Sequence, residues 1–280
     1  MSALACYRNL VDLPACTLSA TVGTVVAGYP LDNLKTRQLA RSTRIGTIGT
    51  PKITVDLGSQ QQLDIVALVG INATARTSGD VTIEWSNNGT SWSTATAVCP
   101  TDAGAPDLPR NIIVRVRAAG VPTKMTTRYL RITPNWGTAD GYREIGRLYI
   151  ADSIVIPKAC DAGWSMGCRD RGVLDESAGG QFYADRKARS RVLTMPMSAL
   201  ETGIAYGFAD DATVGPSGPS LDDLLIYAGK TGDVIVAPRA ESPIWLRRTA
   251  IYGHLTEDSL RITHRAGKYY ECTLTVEEEG

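Results

Sequence analysis

Apolar and polar positions alternate with period two through much of the first 151 residues. In KITVDLG (52–58), Ile53, Val55 and Leu57 fall on one side of an extended chain, the pattern of a half-buried strand. DVTIEWS (80–86) repeats it with Val81, Ile83 and Trp85. LDIVALVGIN (63–72) differs: it is an unbroken apolar run of strand length, as expected for a strand covered on both faces. NIIVRVR (111–117), RYLRITP (128–134) and EIGRLYIA (144–151) supply three more strands, and residues 1–50 read as loop-rich. Short strands with turns between them and no helix predict a β-sandwich over residues 1–151.

Between two of these strands, EWSNNGTSWST (84–94) places two tryptophans around a polar turn. Trp85 continues the inward set of Val81 and Ile83, and Asn88-Gly89 supplies the backbone angles of a tight hairpin. Trp92 opens the return strand and is expected to pack across from Trp85. The stretch reads as architecture.

The alternation stops near DSIVIPKACDAG (152–163), interrupted by Pro157, and a second domain is expected over residues 152–280. RSRVLTMPM (189–197) reads as a strand and SALETGIAYGFADDA (198–212) as helical. PSLDDLLIYAGKTG (219–232) carries the clearest helix. Ser220 is placed to cap it, with Asp222 and Asp223 in the first turn, where they oppose the positive end of the dipole. Leu221, Leu224, Leu225 and Ala228 share one face, and Gly229 or Gly232 ends the helix. Strands resume in GDVIVAP and RRTAIYGHL, and RITHRAGKYYECTLTVEEE (261–279) reads as a hairpin with Tyr270, Cys272, Leu274 and Val276 inward. The fold class is therefore mainly β with an α+β part.

Lysine plus arginine (29) equals aspartate plus glutamate (29), so no basic surplus recommends nucleic acid as a partner. Zero net charge also weakens self-repulsion, which suits a subunit packed against copies of itself. No run approaches the ~18 apolar residues of a membrane span, and MSALACYRNL lacks the basic-then-apolar order of a leader, so a protein made and assembled in the cytoplasm is expected. The six cysteines form no C-x-x-C, and with two histidines beside them no metal or other cofactor is expected. Cys160 and Cys168 could meet across their loop, or remain free thiols.

Catalytic chemistry finds little support. His254 and His264 are not preceded by a G-x-S-x-G elbow, and GPSGP (215–219) lacks the second glycine. Asp222-Asp223 belongs to a helix start and Asp210-Asp211 to a loop, so neither pair argues for glycoside hydrolysis. The chain is expected not to be an enzyme. Binding is better served: TPNWGTADGYREIG (133–146) offers Trp136, Asp140, Tyr142 and Arg143 in one loop. A stacking aromatic with a few planar polar groups is what carbohydrate recognition needs. The competing reading has Trp136 and Tyr142 sealing the end of the sandwich.

YPLDNL…ARST, ITVDLGSQQQLDIVALVGIN, IEWSNNGTSW, RYLRI and GYREIGRLYI, in that order, resemble the galactose-binding-like (discoidin-type) jelly roll over residues ~20–151. GDVIVAPRAESPIWLRRTAIYGHL with ITHRAGKYYECTLTVEEE is similar to the C-terminal region of tail-tip and baseplate proteins of long-tailed bacteriophages. The combined resemblance implies a structural subunit of the virion, forming a ring at the distal end of the tail. Its implied partners are copies of itself, the tube, hub and fibre proteins of the tail, and host surface glycan. For the ring contact the expectation falls on Arg247, Arg248, Tyr252, Tyr269 and Glu271, read as outward-facing, because tyrosine and arginine dominate protein interfaces.

Overall fold

Two sheets packed face to face organise the chain. The computed structural model describes residues 2–46, 50–73, 80–97, 111–118, 121–157, 163–176, 181–185, 189–208, 218–256 and 261–279. In chain order the strands of the first part are β1 (Ser2–Cys6), β2 (Thr17–Val22), β3 (Thr43–Gly46), β4 (Lys52–Leu63), β5 (Ile65–Val69), β6 (Val81–Ser86), β7 (Ser93–Ala97), β8 (Asn111–Ala118), β9 (Val121–Pro122), β10 (Met125–Pro134), β11 (Tyr142–Ile145) and β12 (Arg147–Ala151). There follow β13 (Ile154–Pro157), β14 (Ser165–Arg169), β15 (Val173–Glu176), β16 (Phe182–Asp185), β17 (Ser190–Glu201), β18 (Asp233–Ala237), β19 (Ile251–Leu255), β20 (Ile262–Ala266) and β21 (Tyr269–Glu278). The helices are α1 (Thr202–Tyr206), α2 (Leu221–Ala228) and α3 (Pro243–Thr249).

The first sheet runs β12-β5-β8-β7-β6-β10-β4-β2 with β9 beside β8, and it curls into a sandwich. Its interior is one apolar cluster that includes Ile53, Val55, Val66, Leu68, Ile83, Leu130, Ile132 and Leu148. The period-two pattern is realised in β4, where Ile53, Val55 and Leu57 are buried and their neighbours are not. Gly89 turns the β6–β7 hairpin at φ 73°, a left-handed backbone that glycine adopts without a Cβ penalty. Trp85 packs against the interior as expected. Trp92 does not meet it: Trp85 sits opposite Ser93, so Trp92 falls on the outer face. There its ring covers the guanidinium of Arg131 at 3.8 Å.

The second sheet runs β13-β1-β18-β19-β21-β17-β14, with β20 pairing β21. The mainly β architecture with an α+β part is thus as the pattern implied, except that β1 crosses the expected boundary at residue 151. Instead of a loop, Ser2–Cys6 is an interior strand of the C-terminal sheet, antiparallel to both β13 and β18. Ala3 and Ala5 face the core beneath α2, while Leu4 and Cys6 face the sandwich. Five small or apolar residues, two of them alanine with weak strand preference, carry no alternation that would betray this.

The two sheets meet across a third apolar layer. Ile65, Ala67, Val69, Tyr149 and Ala151 of the sandwich pack against Leu4, Cys6, Ile235, Ala237 and Tyr252. This is why the stretch Ile65–Val69 is apolar at every position: Val66 and Leu68 face the sandwich interior, and Ile65, Ala67 and Val69 face the other sheet. Each valine, leucine or isoleucine side chain so removed from water contributes about 1.5–3 kcal/mol.

Two helical expectations change. β17 continues to Glu201, leaving only Thr202–Tyr206 helical within the described part of 198–212. In place of a strand through 247–249, α3 runs Pro243–Thr249, with proline in its first turn, where a missing N–H costs nothing. The expected helix at 219–232 is α2, capped by the Ser220 hydroxyl accepting from the Asp223 amide at 3.1 Å.

Candidate functional site

Antiparallel β3 and β11 form a short two-stranded ribbon. Their register sets Arg44 opposite Glu144 and Gly46 opposite Tyr142. Residues two apart on a strand share a face, so Tyr142, Glu144 and Arg44 lie together. The Arg44 guanidinium is held between two rings, 3.9 Å from the centroid of Tyr29 and 4.6 Å from that of Tyr142. Its Nη2 contacts Glu144 Oε1 at 3.3 Å, and the Ser42 hydroxyl donates to the same oxygen. Arg44 Nε is buried with no hydrogen-bond partner.

The loop leading into β11 is wired by Asn72. The two hydrogens of its Nδ2 are shared among Thr138 Oγ1 (2.9 Å), Asp140 Oδ2 (2.9 Å) and the Tyr142 carbonyl (3.0 Å). Its Oδ1 accepts from the Glu144 amide at 2.9 Å and from Trp136 Nε1 at 3.3 Å. One amide side chain therefore fixes both arms of the loop, which pre-organises the residues it presents.

Of the four residues expected to bind carbohydrate, the structure brings Tyr142 to this face and holds Asp140 in the adjoining loop against Asn72. Trp136 is 0% exposed within the sandwich core and has no ring face to offer a sugar, so its reading as a stacking residue is corrected. Arg143 alternates to the opposite side of the ribbon, where Nε donates to the Trp136 carbonyl at 3.1 Å, and burial lowers its pKa. Tyr29 and Arg44 were missed. Tyr29 stands in a loop without periodicity, and Arg44 acquires its meaning only from a partner a hundred residues away.

Among the residues expected to form a ring contact, Tyr252 is corrected outright. It is 0% exposed, its ring meets Tyr149 edge-on at 6.1 Å, and its hydroxyl donates to Asp233 Oδ2 at 3.1 Å. Period two in β19 points it to the layer between the sheets, since Ile251 faces α2 instead. Arg247 and Arg248 lie on α3, and Arg248 is exposed. Tyr269 is exposed at the turn of the final hairpin, and Glu271 pairs with Arg265 at 3.6 Å.

His264 is exposed and its Nε2 lies 2.7 Å from the Gly267 carbonyl. Cys6, Cys16 and Cys272 are buried thiols whose pKa burial raises, and Cys168 is exposed. Cys99, Cys160 and Asp210-Asp211 lie outside the described residues, so the Cys160–Cys168 alternative does too. Among the described residues no group of histidine, cysteine and carboxylates is placed to hold a metal ion, and no helix is long and apolar enough to cross a membrane.

No protein-family model matches the chain, and no curated protein matches it. Solved structures do. One is CpGH89CBM32-6 produced by Clostridium perfringens, 16% identical, covering 52% of this chain and 99% of that one at a TM-score of 0.38. A second, CpGH89CBM32-5 from the same organism, was solved in complex with GalNAc-beta-1,3-galactose. It is 8% identical and covers 51% of this chain and 99% of that one, with a TM-score of 0.38. A third is chitosan-binding module 1 derived from a chitosanase/glucanase of Paenibacillus sp. IK-5, 20% identical, covering 52% and 98% at a TM-score of 0.38.

Proposed function

We propose that the chain is a non-catalytic attachment protein whose sandwich binds glycan at the Tyr29–Arg44–Tyr142 face. The observation that carries this reading is the guanidinium held between two tyrosine rings beside Glu144, on a loop braced by Asn72. Such a face combines apolar ring surface for the C–H side of a sugar with planar donors and acceptors for its hydroxyls. Titration of the full chain against host-surface polysaccharide, beside a glycan array, tests it. Tyr142→Ala and Arg44→Ala should each weaken binding at least roughly tenfold, the loss of one good contact. Binding that survives both substitutions, or no binding to any glycan, refutes the reading.

A second reading concerns the other sheet: a structural subunit of a phage tail tip, assembled with copies of itself and with other tail proteins in the virion. Two observations favour it. Among the described residues, β14 ends the eight-stranded sheet with its outer edge unpaired by any strand. Among the described residues the β15–β16 hairpin that follows it in the chain pairs only with itself, and it exposes Val173 and Tyr183. An open edge is a template for a neighbouring chain. Imaging of intact virions decides between a place in the tail ring and none.

A further inference from the structure

We propose that the seam between the two sheets holds a second ligand site, separate from the Arg44 face, that takes a phosphorylated sugar. A crevice of about 460 Å³ opens there. Five cationic or titratable groups reach it from five different segments: Arg37 after the 3-10 turn Leu31–Lys35, Arg171 after β14, Arg189 before β17, Lys230 after α2 and His254 on β19. Arg37 belongs to the sandwich and the others to the C-terminal part, so neither half makes the site alone.

The floor is acidic, but its charge is already answered from behind. Asp233 accepts from Arg147 Nε at 3.1 Å and Nη2 at 2.8 Å and from the Tyr252 hydroxyl at 3.1 Å. Glu278 accepts from Arg191 at 2.8 and 2.6 Å, and neither Arg147 nor Arg191 lines the crevice. Glu279, half-buried, is shifted by that burial toward its neutral form. The cations on the rim are different in kind. The side chains of Arg37, Arg171 and Arg189 are 53%, 53% and 71% exposed; Arg37 and Arg171 reach the buried carboxylates of Asp233 and Glu277, and Arg189 the exposed Asp170. A guanidinium carries five N–H donors and uses only some of them in such a pair, and a phosphate accepts charge-assisted, bidentate hydrogen bonds from such groups. An incoming oxyanion can therefore add to the exposed guanidinium edges without displacing these carboxylates.

A basic rim over an acidic, hydrogen-bonding floor fits a ligand carrying both an oxyanion and hydroxyl donors. Inorganic phosphate satisfies only the rim, and a neutral sugar only the floor. Titration calorimetry of the full chain with glucose 1-phosphate as the probe, with glucose and inorganic phosphate alongside, tests the assignment. Saturable one-site binding is expected, tighter than for either comparison compound. Lys230→Ala and the double variant Arg37→Ala/Lys230→Ala should weaken it by roughly tenfold or more, and Arg265→Ala on the β20–β21 hairpin should not change it. Near-ultraviolet circular dichroism checks that the variants are folded, and Lys230→Ala, at an exposed turn, keeps the test open if Arg37→Ala is not. No saturable binding, glucose binding as tightly as its phosphate, or affinity unchanged from the parent chain in both Lys230 variants overturns the proposal. Loss of the Arg44-face reading would leave it standing, because no residue is shared.

Discussion

Arg147 of the sandwich and Asp233 of the C-terminal sheet share two hydrogen bonds, Nε at 3.1 Å and Nη2 at 2.8 Å to the same carboxylate oxygen. Arg147 also reaches Asp12 through Nη1 at 2.9 Å and Nη2 at 2.6 Å, and it is fully buried. The guanidinium thus sits where the two sheets join, with two carboxylates and the Lys35 carbonyl around it. Removing one member of such a set leaves a charge desolvated and unanswered. Arg147→Ala should cost about 3–5 kcal/mol in denaturant unfolding, and Arg147→Met combined with Asp233→Asn distinctly less. Equal losses from the two would show that cavity, not charge, dominates.

Acid should loosen the C-terminal end of β21. Burial pushes the Glu277 carboxyl up, but hydrogen bonds from Arg171 and Ser190 and the charges of Arg171 and Arg169 outweigh it and bring the pKa to about 2. A carboxyl whose folded value lies below its unfolded value, about 4.3, stabilises the fold above pH ~4.3 and loses that contribution as pH falls toward 2. Both arginine partners are more than half exposed, so screening reduces the effect to about 1–2 kcal/mol. Glu277→Gln should flatten the stability profile between those values. A profile parallel to that of the parent chain would contradict it.

Gly253 admits no side chain. A Cβ there would collide with the Glu277 backbone carbonyl on the neighbouring strand. Gly253→Ala should force β19 and β21 apart and destabilise by more than about 2 kcal/mol, as overpacking of a tight site does. A thermal melt reads this directly, and an unchanged midpoint would refute it.

Trp136 and Tyr142 should separate cleanly by experiment although seven residues span them. Trp136→Ala removes a fully buried ring and should cost about 3–5 kcal/mol. Tyr142→Ala should leave stability nearly intact and affect glycan binding alone. Chemical denaturation beside glycan titration distinguishes the two, and a stable Trp136→Ala chain that has lost binding would restore tryptophan to the site.

The same contrast shows what could be read from the sequence. Period two placed the strands around 52–58 and 80–86, an unbroken apolar run placed β5, and capping chemistry placed α2, because these are local signals. Trp136 and Tyr142 carry the same local signal, an aromatic in a polar loop. Only the packing of β11 on β3 decides that one is core and the other surface. Tyr252 was misassigned because strand alternation gives two faces without saying that both are covered. The third apolar layer, which covers the second face, becomes visible only when the sheets are paired.

The strand most hidden from sequence yields the sharpest expectation. Leu4, Ala5 and Cys6 pair with Ala237, Val236 and Ile235, and Ala3 pairs with Ile156 across the other edge. Deleting residues 2–6 removes both ladders at once and opens a slot between β13 and β18. It also strips Leu4 and Cys6 from the layer that joins the sheets. The sandwich interior around Ile53, Val55 and Ile132 touches none of these residues and should keep its slow hydrogen exchange. Amides of β13 and the β1-facing amides of β18 should lose protection by several orders of magnitude, since their partners are gone. Residue-resolved exchange of the truncated chain measures both outcomes together. If protection fell equally in β4 and β18, the two sheets would unfold as one cooperative unit and the strand's role would be global; if it fell in neither, Ser2–Cys6 would contribute no pairing in solution.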